Sequence, residues 1–277
     1  MTLATLADVL QPALHRHYAV AGLVCQGWED MRAFVAAAEA ENAPLILQAG
    51  PACRANTPLP VLGRMMGHLA VSASVPVVLH FDHGYAIDEC KAALDCGFTS
   101  LMYDGSGKAL QQNIDETARV AEIAHAAGVS CEGEIGFVGY SGGKPSNSTE
   151  PAEAAMFATH SGVDAMAISV GNLHLQQDHN SGLDIEAIRS IEIATGIPLV
   201  IHGGSGVPLA QRSLLARTSN ICKFNIGTEL RMAFAKALRT AVNRDPNRFD
   251  HIAILNDTHD PLVAAARMVI RGLGPAA

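Results

Sequence analysis

The chain has 277 residues, is 49% hydrophobic and 17% charged, and carries a formal net charge of -8. That balance fits a globular protein with a substantial core and lacks the basic footprint of a nucleic-acid binder. No run of about 18 apolar residues occurs, so no membrane-spanning helix is expected, and the first twenty residues lack the basic start and apolar stretch of a secretion signal.

Eight apolar runs of strand type follow one another: AVAGLV (19–24), PLILQ (44–48), PVVLH (76–80), SLMY (100–103), SCEGEI (130–135), DAMAIS (164–169), PLVIH (198–202) and CKFNI (222–226). Between them lie segments with helical periodicity, among them 30–41, 87–94, 110–127, 152–160, 185–194 and 209–218. Several of these stop at a helix-ending residue, Asn42, Gly97, Gly128, Gly162 or Gly196, and a strand resumes within a few residues. The alternation predicts one α/β domain over 1–277, a single (β/α)8 barrel with extra terminal helices. A doubly wound open sheet would need a glycine-rich nucleotide turn after an early strand, and GLVCQGWED (22–30) does not supply one. The six cysteines, Cys25, Cys53, Cys90, Cys96, Cys131 and Cys222, are scattered without metal-type spacing, which predicts reduced thiols and a cytoplasmic protein.

In such a barrel, chemistry sits at the carboxyl ends of the strands. Those ends carry His80, Asp82 and His83 in HFDHG, Asp104, then Glu132 and Glu134 in CEGEIG, followed by His174, His202 and Asn225. Buried without partners, each would cost several kcal/mol, about 2–7 by transfer measures. Histidines on three separate strand ends point to a metal with an open position for substrate, with the carboxylates orienting the imidazoles or holding a further ion. Lys223 is the lysine nearest a strand end, pointing in or out, so Schiff-base chemistry is the less favoured route. Two glycine-rich turns, HGGSG (202–206) and NIGT (225–228), follow the seventh and eighth runs, where this fold holds phosphate.

HFDHG, CEGEIG, HGGSG and KFNIGTELR, in order across residues 18–240, together resemble the class II, metal-dependent fructose- and tagatose-bisphosphate aldolases. The resemblance implies that His83, His174 and His202 hold Zn2+ or another divalent metal, with Asp82 as the acid/base beside it. Glu134 and Asp104 would support these ligands or form a second metal position. Gly171, Gly203, Gly204, Ser205, Asn225, Gly227 and Thr228 would hold the phosphate of a ketose phosphate, with a monovalent cation beside it left open. A homodimer or homotetramer is also implied, with no nucleic-acid or membrane partner.

The expected reaction is therefore reversible retro-aldol cleavage of a ketose phosphate to a dihydroxyacetone phosphate-like fragment and an aldehyde. The alternatives are a non-catalytic sugar-phosphate-binding barrel and a metal-dependent epimerase. Three departures bear on the substrate. Leu175 stands where the family has glycine after the sixth-strand histidine, and Leu23 and Val24 replace its first-strand FN pair. GYSGGKPSNSTEP (139–151) carries no carboxylate before Glu150 where the family has an acidic pair. Tyr140 is the catalytic candidate in that loop, provided a metal or cationic neighbour lowers its pKa from about 10.

Overall fold

The computed structural model describes residues 2–180 and 182–274. A two-residue strand, β1 (Leu3–Ala4), precedes eight parallel strands: β2 (Val20–Val24), β3 (Leu45–Ala49), β4 (Val77–Gly84), β5 (Ser100–Tyr103), β6 (Ser130–Ile135), β7 (Ala165–Ile168), β8 (Leu199–Ile201) and β9 (Ile221–Ile226). Each pairs with its sequence neighbour, and β9 returns to β2, so the sheet closes into a (β/α)8 barrel. Seven of the eight strands lie within two residues of their apolar runs. The exception is β4, which runs on through HFDHG to Gly84. Asn42, Gly97, Gly128, Gly162 and Gly196 all adopt positive φ at or just beyond helix ends, the conformation expected of them.

The barrel interior is layered. Its lower end is apolar: Val20, Ile46, Val78, Ala165, Ala167, Val200 and Cys222 pack against Leu6, Val9, Leu10 and Ala13 of α1 (Leu6–Arg16). A Thr5–Asp8 capping box starts this helix, and β1 fastens its leading end to β4. Above the apolar floor lies a belt of fully buried polar side chains, Gln48, His80, Ser100, Glu132 and Lys223. The remaining core lies between the strands and the surrounding helices. The other described α-helices are α2 (Trp28–Ala40), α3 (Pro51–Asn56), α4 (Leu59–Ser72), α5 (Ile87–Asp95), α6 (Leu110–Ala126), α7 (Pro151–Ser161), α8 (Ile185–Thr195), α9 (Leu209–Thr218), α10 (Thr228–Arg244), α11 (His251–Asn256) and α12 (His259–Leu273), of which α3, between β3 and β4, and α10, after β9, adjoin the site.

Candidate active site

Consecutive residues of a strand face opposite sides, yet Asp82 and His83 are both buried and both line one cavity. A bulge reconciles this. Between the register pairs Phe81↔Leu101 and Gly84↔Tyr103, β4 advances three residues while β5 advances two. The extra residue coincides with a left-handed backbone at His83, φ 54°, which costs a non-glycine residue about 1–2 kcal/mol. Periodicity in the sequence gives no sign of this reversal.

His83, His174 and His202 each offer a ring nitrogen, and these atoms lie within 4.8 Å of one another. His83 Nδ1 bonds Asp104 Oδ2 at 2.8 Å. His202 Nε2 lies 3.1 Å from Glu132 Oε1, and that carboxylate's other oxygen accepts from Lys223 Nζ at 2.6 Å. The Glu132 contact fixes the imidazole as its Nε2–H tautomer and leaves the Nδ1 lone pair free. His202 Nδ1 and Glu134 Oε2, 3.4 Å apart, are both buried and have no hydrogen-bond partner. Two orphaned lone pairs facing each other between histidines are the arrangement a divalent cation would satisfy, so the donor set fits a metal. His83, Asp104 and Glu134 also meet as a second potential ligand group.

The electrostatics divide the three imidazoles. Burial would lower His83, but Asp82, its bonded Asp104 and Glu134 outweigh it and raise the group to about 10. Burial, reinforced by the charge on His83, takes His174 down to about 4 and His202 well below its usual value. Burial and neighbouring Asp104 push Glu134 up to about 8. Asp82 stays below the ordinary carboxylate range: burial opposes ionisation, and the cationic His83 wins, with help from His202 and Lys223.

A cavity of about 270 Å3 opens over Asp82, His83 and His174, and Gly203, Ser205, Asn225, Gly227 and Thr228 line it. Ser205 Oγ accepts from the amides of Gly227 (3.2 Å) and Glu229 (3.3 Å) at the start of α10, so its own proton remains for an anion. Arg231, one turn along α10, donates to Thr228 Oγ1 at 3.1 Å and is the non-histidine cation lining this cavity. Two expected phosphate residues do not line it. Gly171 makes a turn at φ 100°, and Gly204 packs tightly against Asn225 O and Ile226 of β9.

The altered features converge on the rim. Leu175 is half exposed and left-handed, φ 62°, so the glycine conformation is kept without the glycine. Tyr140 stacks on the His174 ring at 4.8 Å, and backbone pairing of residues 139–141 with His174 holds it there. Tyr85 stacks on His83, with ring centroids 6.3 Å apart, and its hydroxyl bonds that of Tyr140. In the metal-free protein burial first, then Asp104, Glu134 and Asp82, raise the pKa of the Tyr140 phenol.

Lys223 points inward but lies beneath the histidines, bonded to Glu132 and 3.2 Å from His80 Nε2, and does not line the cavity. Glu132 therefore belongs to the site as the partner of His202. His80, bonded through Nδ1 to Ser100 Oγ at 2.8 Å, sits in the supporting belt. His179 is exposed, and its ring bonds the Ser205 carbonyl. Sequence reasoning missed Arg54, Tyr85 and Arg231. Tyr85 adjoins HFDHG and Arg231 closes KFNIGTELR, and only the folded chain sets Tyr85 against His83 and turns Arg231 into the cavity.

The closed barrel thus brings a metal-fitting histidine group and an anion cradle together at its carboxyl rim, the face that barrel enzymes use for chemistry. The family model for class II fructose-bisphosphate aldolase matches residues 4–276, and the chain belongs to that family. It is a class II aldolase, an aldehyde-lyase. It is 35% identical over 283 residues to the fructose-bisphosphate aldolase of Geobacillus stearothermophilus, covering 99% of this chain and 98% of that one. It is 31% identical over 286 residues to the Staphylococcus aureus enzyme of the same name, with the same coverage. The crystal structure of the YdjI aldolase from Escherichia coli K12 superposes with a TM-score of 0.86 at 29% identity, covering 98% of this chain and 97% of that one.

Proposed function

We propose that the enzyme cleaves a ketose carrying a single phosphate or an acidic group, in preference to a bisphosphate, with His83, His174 and His202 holding zinc. The convergence of those three imidazoles beside an ionised Asp82 carries the reading. A divalent metal there would polarise the substrate carbonyl and offset the charge that develops as the carbon–carbon bond breaks. Asp82 takes the proton from the C4 hydroxyl, and its depressed pKa keeps it ready as a base at neutral pH. Tyr140, a phenol held neutral by burial and then by its carboxylate neighbours, serves as a proton donor to the carbon left behind. Ser205, Thr228 and the turn glycines Gly203 and Gly227 hold the phosphate, with Asn225 at their side.

Arg231 is one cation for one phosphate, and the adjoining cavity on the far side of His83 carries the carboxylates of Asp104 and Glu134. Its lysine, Lys108, is already paired with Glu116 and Tyr103. A second phosphate would find little compensation there. Six free cysteines support a cytoplasmic location. A homo-oligomer completes the proposal, resting on resemblance alone. No described helix is long and apolar enough to cross a membrane.

The test is turnover of a bisphosphate ketose, a monophosphate ketose and an acidic ketose, followed by triose phosphate release with and without chelator. The monophosphate or acidic substrate should be preferred, and Tyr140→Phe should lose about 10²-fold in kcat. A wide preference for the bisphosphate refutes the substrate assignment, and an unaltered Tyr140→Phe removes the phenol from the mechanism. Binding without turnover of any of the three would also refute it.

Metal loading should be pH-linked. The metal-free protein holds a proton on His83 up to about pH 10, against 6.5 for a free imidazole. Zinc must displace that proton, so affinity should rise about tenfold per pH unit above neutrality. Glu134, raised to about 8, should release a second proton only if it too binds the metal. The same His83 shift stabilises the metal-free fold fully below pH 6.5, and that contribution is lost as pH rises through about 10. Calorimetric titration in buffers of different ionisation enthalpy counts the protons. Zinc binding without proton release would show that His83 is already neutral.

A further inference from the structure

β3 ends at Ala49, whose register partner is Phe81, so no β3 residue stands opposite Asp82 and His83. The chain turns at Gly50 into the short helix α3, which brings Arg54 against that gap. Arg54 Nη1 donates to the carbonyls of Ala49 (2.6 Å) and Asp82 (2.5 Å), and Nη2 donates to the carbonyl of His83 (2.9 Å). The guanidinium also lies 4.1 Å over the Phe81 ring. One side chain therefore grips the end of β3 and both peptide units that follow Asp82 and His83.

Those two peptides contain the bulge and the left-handed residue. A strained backbone of this kind persists only where its surroundings over-determine it. The planar fork of an arginine can satisfy carbonyls from two strands at once, with a geometry that a lysine ammonium cannot reproduce. We propose that Arg54 is a positioning residue: it locks the reversed Asp82–His83 peptide and so sets the base and the metal-binding imidazole relative to each other. It acts through the backbone, and its side chain does not line the cavity. The inference rests on His83 being a metal ligand, the reading given above.

Arg54→Ala and Arg54→Lys test it. Zinc affinity is measured by competition with a chromophoric chelator, and coordination geometry by the visible spectrum of the cobalt-loaded protein. Both variants should bind zinc about 10–100-fold more weakly and show a shifted cobalt spectrum. Their kcat should fall more than KM rises, and added guanidinium ion should restore part of the zinc affinity of Arg54→Ala. If Arg54→Ala does not fold, Arg54→Lys decides by the same readouts. Variants that lose thermal stability but match wild type in zinc affinity and cobalt spectrum would overturn the positioning role. Wild-type protein that binds neither zinc nor cobalt would overturn the metal reading itself, a result distinct from failure of the variants alone.

Discussion

Replacing His83, His174 or His202 with alanine should remove tightly bound zinc and turnover together. The three ring nitrogens lie within 4.8 Å of one another and come from residues on or after separate strands, so each histidine is held independently of the other two. Each loss removes one of three histidine ligands from a site whose fourth position is meant for substrate. His202→Ala should have a further effect. It leaves Glu132, fully buried and bonded to Lys223, without its imidazole partner, so this variant should also melt earlier than the other two. Elemental analysis and thermal melts of the purified variants decide both points. Full zinc occupancy in all three would end the assignment.

Asp82→Asn should separate chemistry from metal binding. The amide keeps the size of the carboxylate and its place beside Asn225 Nδ2 (3.5 Å) and His80 Nε2 (3.9 Å), but it cannot accept a proton from a hydroxyl. Zinc content and melting temperature should stay near wild type while kcat falls on the order of 10²–10⁴-fold. The variant should also change His83, because the Asp82 carboxylate is the foremost charge raising that imidazole. Zinc binding to the variant should therefore lose part of its pH dependence above neutrality. A parallel loss of zinc would make Asp82 a structural partner of the ligands, and unchanged kcat would exclude it as the base.

Much of this site could be read from the sequence because strand ends are local. Apolar runs separated by helices that stop at glycine or asparagine place the barrel, and polar residues at or just past the ends of those runs fall in its rim or in the belt beneath it. His83, His174 and His202 meet for that reason, as do Asp104 and Glu134. What stayed hidden depends on direction. Asp82 and His83 share a cavity only because a bulge and a positive φ break the alternation, and both arise from tertiary pairing. Arg54 lies on a six-residue helix with no motif around it, and its importance appears only when the carbonyls it holds are known. Lys223 could have faced either way, and the Glu132 carboxylate opposite it decides for the interior. Tyr140 stands out in its loop by residue type, but its electrostatic surroundings come from strands far away in sequence.

The apolar floor built by α1 has a consequence for traffic. With Leu6, Val9, Leu10 and Ala13 sealing the lower end of the barrel, the metal, the ketose and both fragments share one doorway. An ion bound as proposed must therefore load before the sugar, and both fragments must leave by the rim through which the sugar came.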